Sequence, residues 1–188
     1  ASSVPGLPQA EPSLKITYVQ PKDFTGLLRY VRNILVVTID PTAYTKVSVG
    51  YENNVWARGQ VVVSLKAPNT ESIVEYSKTH EKALVNFFVK VEMNRAIEQL
   101  QKEYSMVVMD NLKSDLNVML NAPANFTYYK DTTDFFWSSN NANTGRMDLI
   151  VYTFPYTDPN TFTEEYLVAK RDSVLKANLP GSFPGSYM

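Results

Sequence analysis

Side chains able to do covalent or metal chemistry are scarce in this chain, and the scarcity sets the first bounds. Among 188 residues there is no cysteine and one histidine, His80. That removes thiolate zinc sites, disulfides and cysteine nucleophiles, and leaves one imidazole for any triad. His80 lies between Thr79 and Glu81 in a helical pattern. A general base needs a nucleophile and an orienting carboxylate brought to it, and no G-x-S-x-G elbow is present. His80 therefore reads as a partly buried helix residue with a local hydrogen bond. The glycines at 6, 26, 50, 59, 145, 181 and 185 build neither G-x-G-x-x-G nor a Walker loop, so no backbone cradle for phosphate is expected. Carboxylates are scattered over Asp110, Asp115, Asp131, Asp134, Asp158, Glu164 and Glu165. Glycoside hydrolysis needs two of them held about 5–10 Å apart. Glu164 and Glu165 suit the positive end of a helix dipole, whereas Asp131, Asp134 and Asp158-Pro159-Asn160 suit turns. No catalytic residue, cofactor or metal is assigned. A hydrolase using carboxylates such as Asp134 and Asp158 stands as the rival reading.

The most unusual stretch is Asp134-Phe-Phe-Trp-Ser-Ser-Asn-Asn-Ala-Asn-Thr-Gly-Arg146, followed by Tyr152, Phe154, Pro155, Tyr156, Thr157 and Asp158. Aromatic rings beside amides hold sugars and peptides, the ring covering an apolar face and Asn or Arg taking the polar edge. Trp137, Asn140, Asn141, Arg146, Tyr152 and Tyr156 are the candidate ligand-binding residues. The competing reading is a hairpin whose alternate aromatics pack in a core and whose Asn-rich turn faces water. Alternation puts Phe136 opposite to Phe135 and Trp137, so one face of that strand needs a second partner: a helix, another subunit or a ligand. Eighteen Lys and Arg against 19 Asp and Glu give a net charge of -1, without the basic excess of a nucleic-acid binder.

These residues need elements to place them. Leu14–Gln20 alternates and reads as a half-buried strand stopped by Pro21. Asp23 caps a short helix to about Arg32, with Phe24, Leu27, Leu28 and Val31 on one face. Asn33–Asp40 is β-branched and continuously apolar, the pattern of a central strand buried on both faces. Lys46–Glu52 and Gln60–Lys66 form a hairpin around Asn53 and Asn54. From Asn69 or Thr70 to about Leu112 the composition is helical, with no Gly or Pro. The stripe Ile73, Tyr76, His80, Leu84, Phe87, Phe88, Val91 lies almost opposite the stripe Met93, Ile97, Leu100, Tyr104, Val107, Leu112. A break near Glu92 or a long helix changing neighbours satisfies both, and the second is favoured, with a kink somewhere. Asp115–Leu120, Phe126–Lys130, Asp134–Ser139 and Arg146–Phe154 read as strands. Thr161–Asn178 reads as a helix capped by Thr161, and Leu179–Met188 as an extended surface tail.

The pattern is α+β, antiparallel sheet packed against a long central helix and a C-terminal helix, with helices alternating with blocks of strands. The predicted core is Leu84, Phe87, Phe88, Val91, Ile97, Leu100, Val36, Val37 and Val62. One domain over 1–188 is expected, with a subdivision near 113 as the option. No window is long and apolar enough to span a membrane, and Ala1–Pro12, with Pro5, Pro8 and Pro12, is not a signal peptide.

Beyond composition, several segments carry a resemblance. Asp134-Phe-Phe-Trp-Ser-Ser-Asn-Asn-Ala142, Thr144-Gly145, Tyr152, Pro155-Tyr-Thr-Asp158 and Thr161-Phe-Thr163 resemble a family of predicted lipoproteins from Gram-negative anaerobic gut-type bacteria, a domain of unknown function. Val4–Gln9, Phe87-Phe88, Glu92-Met-Asn-Arg95, Lys170–Val174, Pro180-Gly181 and Tyr187-Met188 look like the same family. The resemblance implies a lipobox cysteine with further structure before Ala1, and additional sheet after Met188. It also implies a periplasmic or outer-surface location, with the membrane reached only through a lipid anchor outside this chain. It supplies no catalytic residues. The expected partner is an envelope ligand or protein, with no nucleic acid; a homo-oligomer is the further option, because an incomplete sheet recruits a second chain. The resulting expectation is an envelope module that binds or scaffolds without catalysis, alternatively one specific for a glycan or peptide.

Overall fold

Residues 10–188 are described by a computed structural model; the residues quoted above from the first nine positions lie outside this range. The chain forms two compact units, divided between Ile97 and Glu98. With three strands before a long helix in the chain, three after it and a C-terminal helix, the fold is α+β, as the patterning predicts.

The first unit is built on β1 (Asn33–Ile39), β2 (Ser48–Asn53) and β3 (Val61–Ala67). Their order is β1-β3-β2, with β1 parallel and β2 antiparallel to β3. The β2–β3 hairpin forms where expected, and Asn54 takes the left-handed conformation its turn requires (φ 58°). β3, not β1, is the central strand. A run such as Asn-Ile-Leu-Val-Val-Thr-Ile reads as buried on both faces, yet β1 lies at the sheet edge and alternates between half-buried and exposed. Its apolar content measures strand propensity and says nothing about position in the sheet. Val61 and Val63 meet Phe88 in the core of this unit, with Leu14, Phe87 and Val91 packed around it.

Two further expectations fail before β1. Residues 14–20 form no strand, and none of the described strands pairs with them. The expected helix over 23–32 is two 3-10 turns, Pro21–Asp23 and Gly26–Tyr30. Gly26 has φ +54°, and Thr25 before it is extended, so helical backbone cannot run through this point. Phe24 still finds a partner, meeting Trp56 edge-on at 5.5 Å.

α1 (Thr70–Lys102) starts where Asn69 Oδ1 accepts the Ser72 N–H at 2.9 Å. It continues through Glu92 without a break; its kink is at His80 (φ -112°, ψ 15°). Of the predicted core, Phe88 and Val62 are buried, and Leu84, Phe87, Val91, Leu100 and Val36 are half-buried. Ile97 and Val37 are exposed.

The second unit begins with the last turn of α1 and continues in α2 (Met106–Leu116). Ser105 separates the two helices. Its hydroxyl donates to Phe126 O at 2.5 Å and accepts the Val108 N–H at 3.3 Å, so one serine caps α2 and ties it to the strand block. The strand expected over 115–120 does not form: α2 runs to Leu116 and closes on Asn117 in the left-handed conformation, φ 54°. β4 (Tyr128–Thr132), β5 (Phe135–Ser139) and β6 (Asp148–Tyr152) make an antiparallel sheet with β5 in the centre. Val108, Leu112, Ala122, Phe126 and Phe136 form its core, with Leu116, Leu149 and Val151 against it. α3 (Glu164–Asn178) is capped by Thr163, not Thr161; Thr163 Oγ1 accepts from Tyr166 N. Thr161 is buried and donates to Asp158 O at 2.6 Å.

The last ten residues are not a free tail. Gly181 N–H donates to Ser186 O at 2.8 Å, Met188 N–H donates to Leu179 O at 3.1 Å, and Pro180 is bridged to Tyr187. Prolines cannot donate, but their neighbours close this small hairpin.

Candidate functional site

The Trp-Asn segment folds as a strand, a turn and the start of the next strand. In the β5–β6 register Trp137 faces Ile150, Ser139 faces Asp148 and Phe135 faces Tyr152. Phe135, Trp137 and Ser139 therefore share one face, and Phe136 and Ser138 the other. Phe136 enters the core beneath α2. On the opposite face Phe135 is also buried, under the Lys130 ammonium at 5.8 Å. That ammonium donates to Asn178 O at the end of α3 at 2.8 Å. At the Phe135 end the partner is therefore the Lys130 side chain, itself tied to the end of α3. Trp137, one pleat further along, stays half-buried.

The Trp137 ring is held from two directions. Its Nε1–H donates to Asp148 Oδ1 at 3.0 Å. The Arg146 guanidinium lies 6.0 Å from the ring centroid and grips both Asp148 oxygens, the closer contact being 3.1 Å. Arg146, Asp148 and Ile150 fall on one face by strand alternation, and that face carries Trp137. An exposed pair of this kind contributes little stability, about 0–1 kcal/mol; its consequence is orientation. Asp148 is the residue that sequence reasoning missed. The i, i+2 spacing of Arg146 and Asp148 was the signal available.

The other predicted binding residues divide. Asn140 is fully engaged in its own turn: Oδ1 accepts from Ala142 N at 3.2 Å and Met147 N at 3.0 Å, while Nδ2 donates to Gly145 O at 3.3 Å. Asn141 is left-handed, φ 47°, and its N–H donates to Ser139 Oγ at 2.9 Å. Both asparagines shape the turn that presents Arg146. Tyr152 shares the Trp137 face, two strand positions away, and stacks with Phe154 at 6.1 Å. Tyr156 is apart from this group, exposed and against Phe162 at 5.5 Å.

Carboxylate chemistry gathers somewhere else. Asp134 Oδ1 accepts from Thr153 Oγ1 at 3.3 Å, and Asp158 Oδ1 accepts from Asn160 N at 2.8 Å. Both serve turns. The interacting pair is Asp115, at the end of α2, with Asp131 on β4, in a shallow depression lined also by Asn111, Thr132 and Phe135. Burial, and then the neighbouring Asp115, push the Asp131 carboxyl above its ordinary value. The Ser114 hydroxyl, and then Asp131, hold Asp115 below its own. His80 is exposed, with its ring stacked on Tyr76 at 4.0 Å and Nδ1 3.0 Å from Tyr76 O. The local hydrogen bond is present, but the expected partial burial is not: residues 78–83 are all exposed. Among the described residues no group of three or more metal-binding side chains occurs, and no helix is long and apolar enough to cross a membrane.

The geometry defines an α+β protein with two three-stranded sheets and an aromatic–arginine surface at the turn of the second. Residues 1–101 match the family model described as a domain of unknown function, DUF8532, and the chain belongs to that family. Residues 105–188 match the model of a second domain of unknown function, DUF4837. No curated protein and no solved structure matches the chain.

Proposed function

We propose that the chain is a non-catalytic binding or scaffolding module of a lipid-anchored cell-envelope protein, and that its ligand, a glycan or a peptide, contacts Trp137 and Arg146. What carries the reading is the half-buried indole fixed by Asp148 with a guanidinium beside it. The ring is preoriented, so a ligand stacking on it does not bear the entropy of ordering a free side chain. Arg146, on the solvent side of its ion pair, offers N–H donors to a hydroxyl or a carbonyl. Tyr152 extends the same strand face. Asn140 and Asn141 act by holding the turn.

The test uses tryptophan emission. Trp56→Phe leaves Trp137 as the one fluorophore, and the variant is screened against glycan and peptide arrays and then titrated with the hits. Binding that shifts the emission and weakens about tenfold or more in Arg146→Ala, a loss of about 1.4 kcal/mol, supports the site. Hits that bind unchanged in Arg146→Ala and Trp137→Phe remove it. Lipid anchoring and envelope location rest on the family resemblance, and labelling with a fatty-acid analogue in the native host, followed by fractionation, decides them. The hydrolase alternative is favoured by one arrangement, the Asp115–Asp131 pair with its two carboxyls pushed apart in acidity. Release of product from cell-wall fragments, abolished by Asp131→Asn, would replace the binding reading with that one.

A further inference from the structure

β1 is an outer strand of its sheet, and its own sequence, Asn33–Ile39, carries neither charge nor proline, two of the usual protections of an edge. One side is paired with β3 along its whole length, and among the described residues nothing pairs with the other. Leu35, Val37 and Ile39, on the same sheet face as Val61 and Val63, are nevertheless 44, 47 and 46% exposed. The same molecule carries an unpaired segment with strand patterning. Residues 15–20, Lys-Ile-Thr-Tyr-Val-Gln, lie in no helix or strand, and Ile16 and Tyr18 are each 82% exposed. Between Lys15 and Val19 no backbone hydrogen bond to another described residue is made.

The segment follows one fixed point of its own subunit and precedes another. Leu14 packs against the Val61, Val63 and Phe88 core. At the other end the buried Gln60 amide clamps Arg29 O at 2.6 Å and Val31 O at 2.7 Å, fixing the turns that lead into β1. We infer that residues 15–20 of a second copy add to the β1 edge, and that two copies exchange these segments reciprocally. Ile16 and Tyr18 then continue the apolar row of Leu35, Val37 and Ile39, while Lys15 and Thr17 point to the opposite face. Added main-chain hydrogen bonds supply affinity and the alternating side chains supply register, the general logic of strand addition. Reciprocal exchange closes the assembly at two copies, because the β1 edge and the 15–20 segment of each copy are then both occupied.

This inference is independent of the Trp137 surface. The full 188-residue chain is measured by sedimentation velocity over a concentration series. A concentration-dependent dimer is expected. Thr17→Pro, which removes a backbone donor in a segment whose residues 15–19 make no backbone hydrogen bond to another described residue, should weaken dimerisation about tenfold or more, or 1.4 kcal/mol, with the melting temperature of the monomer unchanged. Because the chain has no cysteine, the double variant Ile16→Cys/Val37→Cys reports contact without background: a disulfide-linked dimer on a non-reducing gel is expected. A monomer at every concentration overturns the inference. So does a dimer unaffected by Thr17→Pro, or a disulfide formed only within one chain.

Discussion

Gln60 shows how much one side chain can fix. It is 2% exposed, and its amide is fully used: Nε2 donates to Arg29 O and Val31 O, and Oε1 accepts from Trp56 N at 3.0 Å. Gln60→Leu would fill similar space and strand two carbonyls and one N–H. We expect a loss of about 2–4 kcal/mol in urea unfolding, less than three fully buried orphans at about 1–3 kcal/mol each would cost, because the partners belong to exposed residues that water can reach in part; an unchanged midpoint would mean that water replaces all three contacts. At Asp131 the sign depends on pH. Its carboxyl binds a proton more readily in the folded state, so stability falls as pH rises from the unfolded value of 3.8 through the raised folded one. Asp115 has the opposite sign: its lowered value contributes stability above 3.8 that is lost as pH falls through the folded value. Asp131→Asn removes the first effect and keeps an N–H donor that can face the Asp115 carboxylate. The variant should melt higher than the parent at pH 7 and lose that advantage near pH 3. An equal or lower melting temperature at pH 7 would contradict the assignment. Neither Gln60 nor the aspartate pair was legible in the sequence. Gln60 looks like any polar residue opening a strand, and Asp115 and Asp131 meet only because α2 ends over β4.

Elements were more legible than their neighbours. The β2–β3 hairpin, the start of α1 and the β5–turn–β6 unit followed from periodicity and turn chemistry, because those signals are local. What periodicity could not supply was the order of strands. β1 and β3 are both β-branched runs, and only the parallel pairing of β1 beside the hairpin decides which is central. The N-terminal failures are of another kind: Leu14–Gln20 has a strand's alternation without a partner, and Gly26 breaks a helix that amphipathicity would otherwise support. How β1 is joined to α1 can be tested. Arg95 Nη1 donates to Asn33 Oδ1 and to Glu92 Oε1, each at 2.7 Å, while Asn33 Nδ2 donates to Glu92 Oε1 at 2.6 Å. Arg95 also reaches Arg32 O at 3.2 Å. Arg95→Ala should cost about 1–3 kcal/mol, the range for hydrogen bonds to charged groups at a half-buried site. Arg95→Lys should recover only part of it, because an ammonium lacks the planar fork. Complete rescue by lysine, seen in chemical denaturation, would reduce the network to simple charge pairing.

At the scale of the whole chain, the two hydrophobic clusters share no residue: Val61, Val63 and Phe88 form one, and Val108, Leu112, Ala122, Phe126 and Phe136 the other. The two family matches meet the same region of sequence, one ending at residue 101 and the other starting at 105, just before the Ser105 cap of α2. The sequence hid this partition because Asn69 to Leu112 contains no Gly or Pro, so the junction lies inside helical composition and is marked only by a capping serine. Separate cores imply separate local stabilities, because a cavity acts on the atoms that line it. Phe136→Ala removes a ring at the centre of the second cluster and should cost about 3–5 kcal/mol there. In native-state hydrogen exchange, amides of α2, β4, β5 and β6 should lose protection, while those of β3, whose side chains pack on Phe88, keep theirs. Val63→Ala should produce the converse pattern. If either variant deprotects both sheets to the same extent, the chain unfolds as one cooperative body, and the two cores are halves of a single folding unit.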